Sequence, residues 1–234
     1  MGLLDFLFPK YCVNCKKLGS YLCDNCFAYL SFEVNEICLI CKKASIDGLT
    51  HPYCLSKYSI DGAFSAINYK GVAKKLVYQF KYKPYLTDLK IVLSELFYEA
   101  LIQKERFNAI IHPPAGRSPI LVPIPLHHSK LKSRGYNQAE ILANELASKL
   151  ELRTQNLLER IKDTKSQVGL EKEERQKNIK DAFKVSNQRL EVISQKSFLL
   201  VDDVLTTGST LLEAAKVLKR NGAKKVWGIT LARD

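Results

Sequence analysis

Apolar and polar positions alternate differently in three parts of the chain. From residue 111 onward, short apolar runs change places with amphipathic ones. "ILVPIP" (120–125) reads as a buried strand and "AEILANELASKL" (139–150) as a helix with apolar positions three and four apart. "SFLLVDD" (197–203) is a second strand, "STLLEAAKVLKR" (209–220) a helix stopped by "NG", and "VWGITLA" (226–232) a third strand. Strand, helix and strand of continuous apolar character make a βαβ unit, which demands parallel pairing and helices over the sheet. The expected fold class is therefore α/β, a parallel sheet with flanking helices.

Residues 58–110 read as helix-rich. "GVAKKLVYQFKYK" places Val72, Leu76 and Phe80 four apart, and "DLKIVLSELFYEALIQ" gives a second amphipathic helix. Around the first helix end, Tyr78, Phe80, Tyr82 and Tyr85 interleave with Lys81 and Lys83. That alternation can stack bases and neutralise phosphates of single-stranded nucleic acid, or it can be a helix end with buried rings and solvated lysines. "HPPAGRSP" (112–119) is a loop, and "LLERIKDTKSQVGLEKEERQKNIKDAF" (157–183) is too charged to be core. A connection of that length inside an α/β domain is more often functional or mobile than filler.

The first 57 residues show another texture. All 7 cysteines fall within residues 1–54, as Cys12-x2-Cys15, Cys23-x2-Cys26, Cys38-x2-Cys41 and Cys54, with His51-x2-Cys54 repeating the spacing. Paired C-x-x-C turns aim two sulfurs at one tetrahedral ion, and zinc takes four such ligands. In-order pairing predicts one site from Cys12, Cys15, Cys23 and Cys26 and a second from Cys38, Cys41, His51 and Cys54; interleaved pairing, or a surface role for His51 and a single ion, stay open. Eight protein ligands leave no open position, so the expected role is structural: metal supplies folding energy that so short a segment lacks.

Charge sharpens the division. Residues 1–57 carry 6 basic and 5 acidic side chains, whereas residues 58–234 carry 30 and 19. The excess over the second segment suits a phosphate-rich ligand or nucleic acid, or is a solvated basic surface. No apolar run approaches the ~20 residues of a membrane span. "MGLLDFLFPKYC" lacks a preceding basic region and a cleavage signal, so it reads as a short helix packing Leu3, Leu4, Phe6 and Leu7. A cytoplasmic protein without membrane insertion is expected.

Candidate chemistry concentrates in "LLVDDVLTTGSTL" (199–211). In a parallel sheet, ligands sit beyond the carboxyl ends of strands, and this turn lies there. Gly208 permits close approach, the amides of residues 206–210 point at one spot, and the helix dipole adds positive character. With Thr206, Thr207, Ser209 and Thr210, the turn is a pocket for one phosphate. It lacks the lysine of a Walker A loop. Asp202 and Asp203 would repel a phosphate, so they are expected to face sugar hydroxyls with a metal ion close by. If both acids were held in internal ion pairs, they would be structural instead.

"FLLVDDVLTTGST" resembles the phosphoribosyl pyrophosphate (PRPP) motif of type I phosphoribosyltransferases. "LVPIPLHHSKLKSRGYNQAEILANELA", the charged segment 157–183 and the cysteine-rich start together resemble the ComF family, over nearly the whole chain. The resemblance implies a zinc-ribbon module over 1–57 and a phosphoribosyltransferase-like domain over 58–234, divided into a helical hood (58–110) and a PRPP-binding core (111–234). It implies that Asp202 and Asp203, the catalytic pair, contact the ribose hydroxyls with Mg²⁺ nearby, and that residues 206–210 hold the 5′-phosphate. Arg134 and Gly135 would lie at the pyrophosphate loop, and Gln167, Arg175 and Asn178 in the mobile loop. The family is linked to natural transformation, handling incoming single-stranded DNA in the cytoplasm beside other transformation proteins. Thr206 stands where purine-salvage enzymes place an aspartate base, and threonine cannot take a proton usefully at neutral pH. A metabolic phosphoribosyltransferase of nucleotide salvage is the rival reading, and the acceptor of any phosphoribosyl group is not legible.

Overall fold

The computed structural model describes residues 9–82, 88–114, 117–163, 179–186 and 193–234. The expected N-terminal helix, Lys83, Tyr85 and the loop residues Gln167, Arg175 and Asn178 lie outside the described residues. Five strands form one parallel sheet: β1 (Gly62–Asn68), β2 (Ile120–Pro123), β3 (Arg153–Thr154), β6 (Ser197–Leu205) and β7 (Lys225–Arg233). Their order across the sheet is β1-β7-β6-β2-β3. Strands β4 (Leu158–Arg160) and β5 (Phe183–Val185) pair antiparallel beside it. The helices are α1 (Asp24–Phe27), α2 (Gly71–Tyr82), α3 (Leu89–Ile102), α4 (Glu105–Ile111), α5 (His128–Arg134), α6 (Gln138–Leu150) and α7 (Ser209–Arg220).

The period-2 alternation of β6 divides its side chains between two cores. Leu199 and Val201 join the core built with α2, α3 and α6, including Leu76, Phe97 and Leu142. Phe198 and Leu200 join the other, with Leu211, Ala214, Ala215 and Leu218 of α7. Each fully buried leucine of this kind contributes roughly 1.5–3 kcal/mol relative to exposure. Helices α6 and α7 thus cover opposite faces, and the chain turns opposite ways after β2 and β6. A crevice opens between the carboxyl ends of those two strands, the place where open α/β sheets take their ligands.

Two sequence expectations need correcting. Residues 62–68, read as part of a helix-rich stretch, form β1, which pairs with β7 from Gly62–Trp227 to Asn68–Arg233. Its run "GAFSAIN" is rich in small residues because both faces are buried against close neighbours. A Cβ on Gly62 would lie 2.6 Å from the Trp227 ring. The basic stretch after "VPIPL", expected as a loop, contains helix α5, ended by Gly135 in the left-handed conformation (φ 81°).

The cysteine-rich segment shares its apolar clusters with the rest of the chain. Cys12, Val13, Cys26 and Leu30 are buried in the same apolar cluster as Val72, Leu76 and Val77 of α2. Leu39, 1% exposed, belongs to the cluster of α7 and β6. Among the described residues, no helix is long and apolar enough to cross a membrane.

Candidate functional site

Strand β6 continues two residues beyond the acids, so Asp202 and Asp203 lie within it and inherit its alternation. They point to opposite faces of the sheet end. Asp203, nearly buried, faces α2 and pairs with the Lys81 ammonium at 2.9 Å. Asp202, half-buried, accepts the Asp203 amide on Oδ1 at 2.9 Å and feels the Arg160 guanidinium from β4. Both acids line one cavity of about 360 Å³ at the carboxyl edge, together with Tyr69, Lys81, Lys130, Arg134, Arg160 and the turn after β6.

Loss of solvation, and then the adjoining Asp203 carboxylate, push the Asp202 carboxyl from its ordinary 3.8 up to about 7, against the pull of the Asp203 amide, Lys81 and Arg160. Burial alone would depress Lys81, but the Asp203 carboxylate outweighs it and raises the ammonium pKa. Burial lowers Arg160. Two acids ringed by Lys81 and Arg160 are poised to hold a polar ligand. Among the described residues only Asp203 of the two acids is ion-paired, and its partner Lys81 itself lines the cavity, so the pair does not bury the acid away from a ligand.

The turn after β6 is shaped by Gly208, whose left-handed backbone (φ 73°) starts α7. A Cβ there would also meet the Leu39 side chain at 3.2 and 3.3 Å. The Thr207 Oγ1 and Ser209 Oγ lie 2.9 Å apart, and the Ser209 amide donates to Thr207 Oγ1 at 3.4 Å. Thr206, Gly208, Ser209 and Thr210 line the cavity. Arg134 reaches it from the end of α5, where its guanidinium donates to Gln138 Oε1 at 3.1 Å and lies 5.3 Å from the centre of the Tyr82 ring. Gly135 supplies the turn behind it.

The cysteines and His51 gather as the in-order pairing predicts. Ligand atoms of Cys12, Cys15, Cys23 and Cys26, and those of Cys38, Cys41, His51 and Cys54, lie within 4.8 Å of one another in each set. The seven thiols make no disulfide. His51 Nε2 approaches the Ala44 carbonyl at 3.0 Å, which directs Nδ1 toward Cys41 Sγ, 3.2 Å away. Each cluster resists carrying several charges without a cation. Burial would raise Cys12, but backbone amides bring it down to about 6, whereas burial and neighbouring thiols overcome the Asn14 amide and push Cys26 up to about 11. The Lys43 amide lowers Cys41 to about 7, while burial and Cys41 push Cys54 up to about 11. A divalent ion reverses that penalty and draws off the protons. Both sets are zinc-binding-like, as in a zinc ribbon.

The two clusters rest on different walls of the cavity. In the first, Lys75 of α2 donates to Asn14 Oδ1 at 2.8 Å, and the Asn14 amide donates to Cys26 Sγ at 3.2 Å. In the second, the Lys42 ammonium follows Cys41 and donates to the Leu39 carbonyl and, at 2.7 Å, to the Thr207 carbonyl.

Residues 136–234 match the model of the phosphoribosyl transferase domain family. Competence protein F of Haemophilus influenzae is 30% identical over 234 residues, which span 91% of this chain and 98% of that protein. The chain belongs to the ComF family. Another relative of this ComF-family chain, the DNA utilization protein YhgH of Salmonella typhi, is 30% identical over 69% of this chain and 67% of its own length. The ribose-phosphate pyrophosphokinase of Mycoplasmopsis pulmonis is 43% identical over 52 residues, or 20% of this chain and 16% of its own.

In this ComF-family chain the structure brings Asp202, Asp203, Arg134 and, of the turn, Thr206, Gly208, Ser209 and Thr210 to one cavity, leaves Thr207 and Gly135 off its lining, and gathers the metal ligands in two clusters. Sequence reasoning missed Lys81, Arg160 and Lys42. In the sequence Lys81 stands only as part of an aromatic-basic alternation. There, Phe80 is buried, while Tyr78 and Tyr82 are exposed and tilted on each other at 4.9 Å. The available signal was the helical phase: Lys81 adjoins Phe80 at the end of an apolar stripe, where a charge needs a partner.

Proposed function

We propose a reading for a competence-related protein with a phosphoribosyltransferase domain, which is what its family and relatives identify. In it, the cavity at the carboxyl edge binds PRPP with Mg²⁺, and the chain handles incoming single-stranded DNA in the cytoplasm. One observation carries the ligand assignment: paired acids and a hydroxyl-rich anion turn share a cavity with guanidinium and ammonium groups. In the proposed complex, the amides and hydroxyls of residues 206–210 hold the 5′-phosphate. Asp202 and Asp203 would accept hydrogen bonds from the ribose hydroxyls and would help hold Mg²⁺, which would supply positive charge against the pyrophosphate. Arg134 grips pyrophosphate oxygens, which its planar fork suits. Zinc in the two cysteine clusters holds the walls.

Thr206 offers no proton acceptor for a base-dependent salvage step. Calorimetric titration with PRPP and Mg²⁺ tests the binding assignment: the expected result is one site per chain, and no heat or saturation sinks it. Pyrophosphate release from PRPP with a free nucleobase at ordinary enzymatic rates would transfer the assignment to nucleotide salvage.

A further inference from the structure

The opposite edge of the sheet carries a second concavity that the proposed ligand site does not use. A cleft of about 1010 Å³ opens where β2, β3, β6 and β7 begin. Arg117, Arg153, Lys196 and Lys224 line it, along with Lys225 and a single acid, Glu151. Lys225 is committed to Asp61 at 2.9 Å. The other four cations make no ion pair or side-chain hydrogen bond among the described residues; three are exposed and Lys196 is half-buried.

Cations are favoured at helix C-termini, and α6 and α7 end at this edge. That need is met elsewhere. Lys149 lies in the last turn of α6, paired with Glu95. Lys219 and Arg220 lie in the last turn of α7, one on Asp61 and the other over the Tyr58 ring. The four lining cations stand instead one per strand along the end of the sheet, Lys224, Lys196 and Arg117 just before β7, β6 and β2, and Arg153 at the first residue of β3. Like charges gathered without counter-charge raise one another's energy, and a polyanion relieves that cost. The aromatic residue of the cleft, Trp227, is 9% exposed and stacked on Phe64 with ring centres 5.8 Å apart. It offers no open face to a base, so contacts fall on phosphates, which carry no sequence information.

We infer that this cleft is a track for the sugar-phosphate backbone of single-stranded nucleic acid, separate from the PRPP pocket. It rests on the DNA half of the proposed function and gives that half a location. Cations in a row along a concave channel fit one strand; a duplex, convex and wide, reaches fewer of them. β6 runs from the cleft at Ser197 to the acids at Asp203, so the two sites stand roughly 20 Å apart at ~3.3 Å per residue. Both ligands therefore bind at once.

The test uses the full, metal-loaded chain, a fluorescent oligothymidylate of about 30 nucleotides and anisotropy over a salt series. The variant Arg117→Glu, Arg153→Glu, Lys196→Glu, Lys224→Glu is expected to lose at least ~10-fold in affinity near 0.1 M salt. The log–log salt slope should fall by about 3, at ~0.7 per single-strand phosphate contact. PRPP–Mg²⁺ titration heats should be unchanged, an oligodeoxyadenylate should bind like the oligothymidylate, and saturating PRPP should not displace either. Should the fourfold variant fold poorly, Arg153→Glu with Lys224→Glu is expected to show about half the slope change. Wild-type affinity in a folded variant overturns the inference, as does displacement by PRPP or equal, cleft-dependent binding of a duplex. If the wild-type chain binds no oligonucleotide, the inference falls with the DNA half of the proposed function, while PRPP binding is judged by its own titration.

Discussion

The two cysteine clusters have similar ligands and different neighbours. The first leans on α2, through Asn14 and Lys75 and through the apolar cluster that buries Cys12 and Cys26. The second leans on the turn after β6, through Leu39 against Gly208 and Lys42 on the Thr207 carbonyl. Helix α2 delivers Lys81 to Asp203, and the turn lines the cavity floor. Each cluster thus backs one wall. The difference teaches that a structural metal module can be specific to a part of a ligand site without touching the ligand.

Breaking the clusters one at a time gives the largest contrast. Cys41→Ser is expected to lower PRPP–Mg²⁺ affinity by more than ~100-fold, about 2.7 kcal/mol, because the anion turn loses its support. Amide hydrogen exchange at residues 206–210 should speed up even without ligand. Cys15→Ser should lower the melting temperature and speed exchange in α2, with a smaller loss of affinity. Equal effects on the turn from both variants would erase the distinction.

Asp202→Asn with Asp203→Asn is the next largest, with an expected loss of about 100-fold or more in the same titration and little change in melting temperature, since both acids lie at a strand end beside open cavity. A collapse of the fold would show that the Lys81 pair is structural. Lys42→Met, with metal content unchanged by a chelator-release assay, is expected to weaken PRPP binding about tenfold, the size of one charge-assisted hydrogen bond. Full affinity would shift the link between the second cluster and the turn from Lys42 to the Leu39 contact.

The smallest expected effect is on pH. The folded Asp202 pKa is raised to about 7 from 3.8, so the folded state holds a proton the unfolded chain has released. Stability contributed by this group should be greatest below about pH 4, decline through the window to about pH 7 and level off above it. PRPP–Mg²⁺ affinity should move the other way, rising with pH to about 7, because a bound metal ion competes with the proton. Thermal melts and titrations across pH 5–8, compared with Asp202→Asn, measure both; identical profiles would remove Asp202 from the account.

What the chain disclosed in advance was local. The anion turn, the acids and α7 are contiguous, so strand and helix periods and one glycine located them within a residue or two. The in-order metal pairing is one of the arrangements that the spacing allows, and the structure gathers that one. Lys81, Arg160 and Lys42 were hidden because they enter from distant segments, and no short-range pattern marks a lysine that crosses 165 positions to reach a carbonyl. Strand β1 was hidden for another reason: its small residues suit tight packing against Trp227 and β7, a requirement set by neighbours and not by its own propensity.

An ammonium already seated on Asp203 has a consequence for how a metal could arrive. Bare magnesium would have to evict a resident cation and leave it facing a newly doubled positive field, so affinity for the naked ion should be poor. A magnesium chelate of a polyphosphate brings its own anions, which give the dislodged Lys81 somewhere to go. If PRPP–Mg²⁺ binds as proposed, the lysine would act in that exchange as a placeholder on the acid pair until a properly dressed guest relieves it.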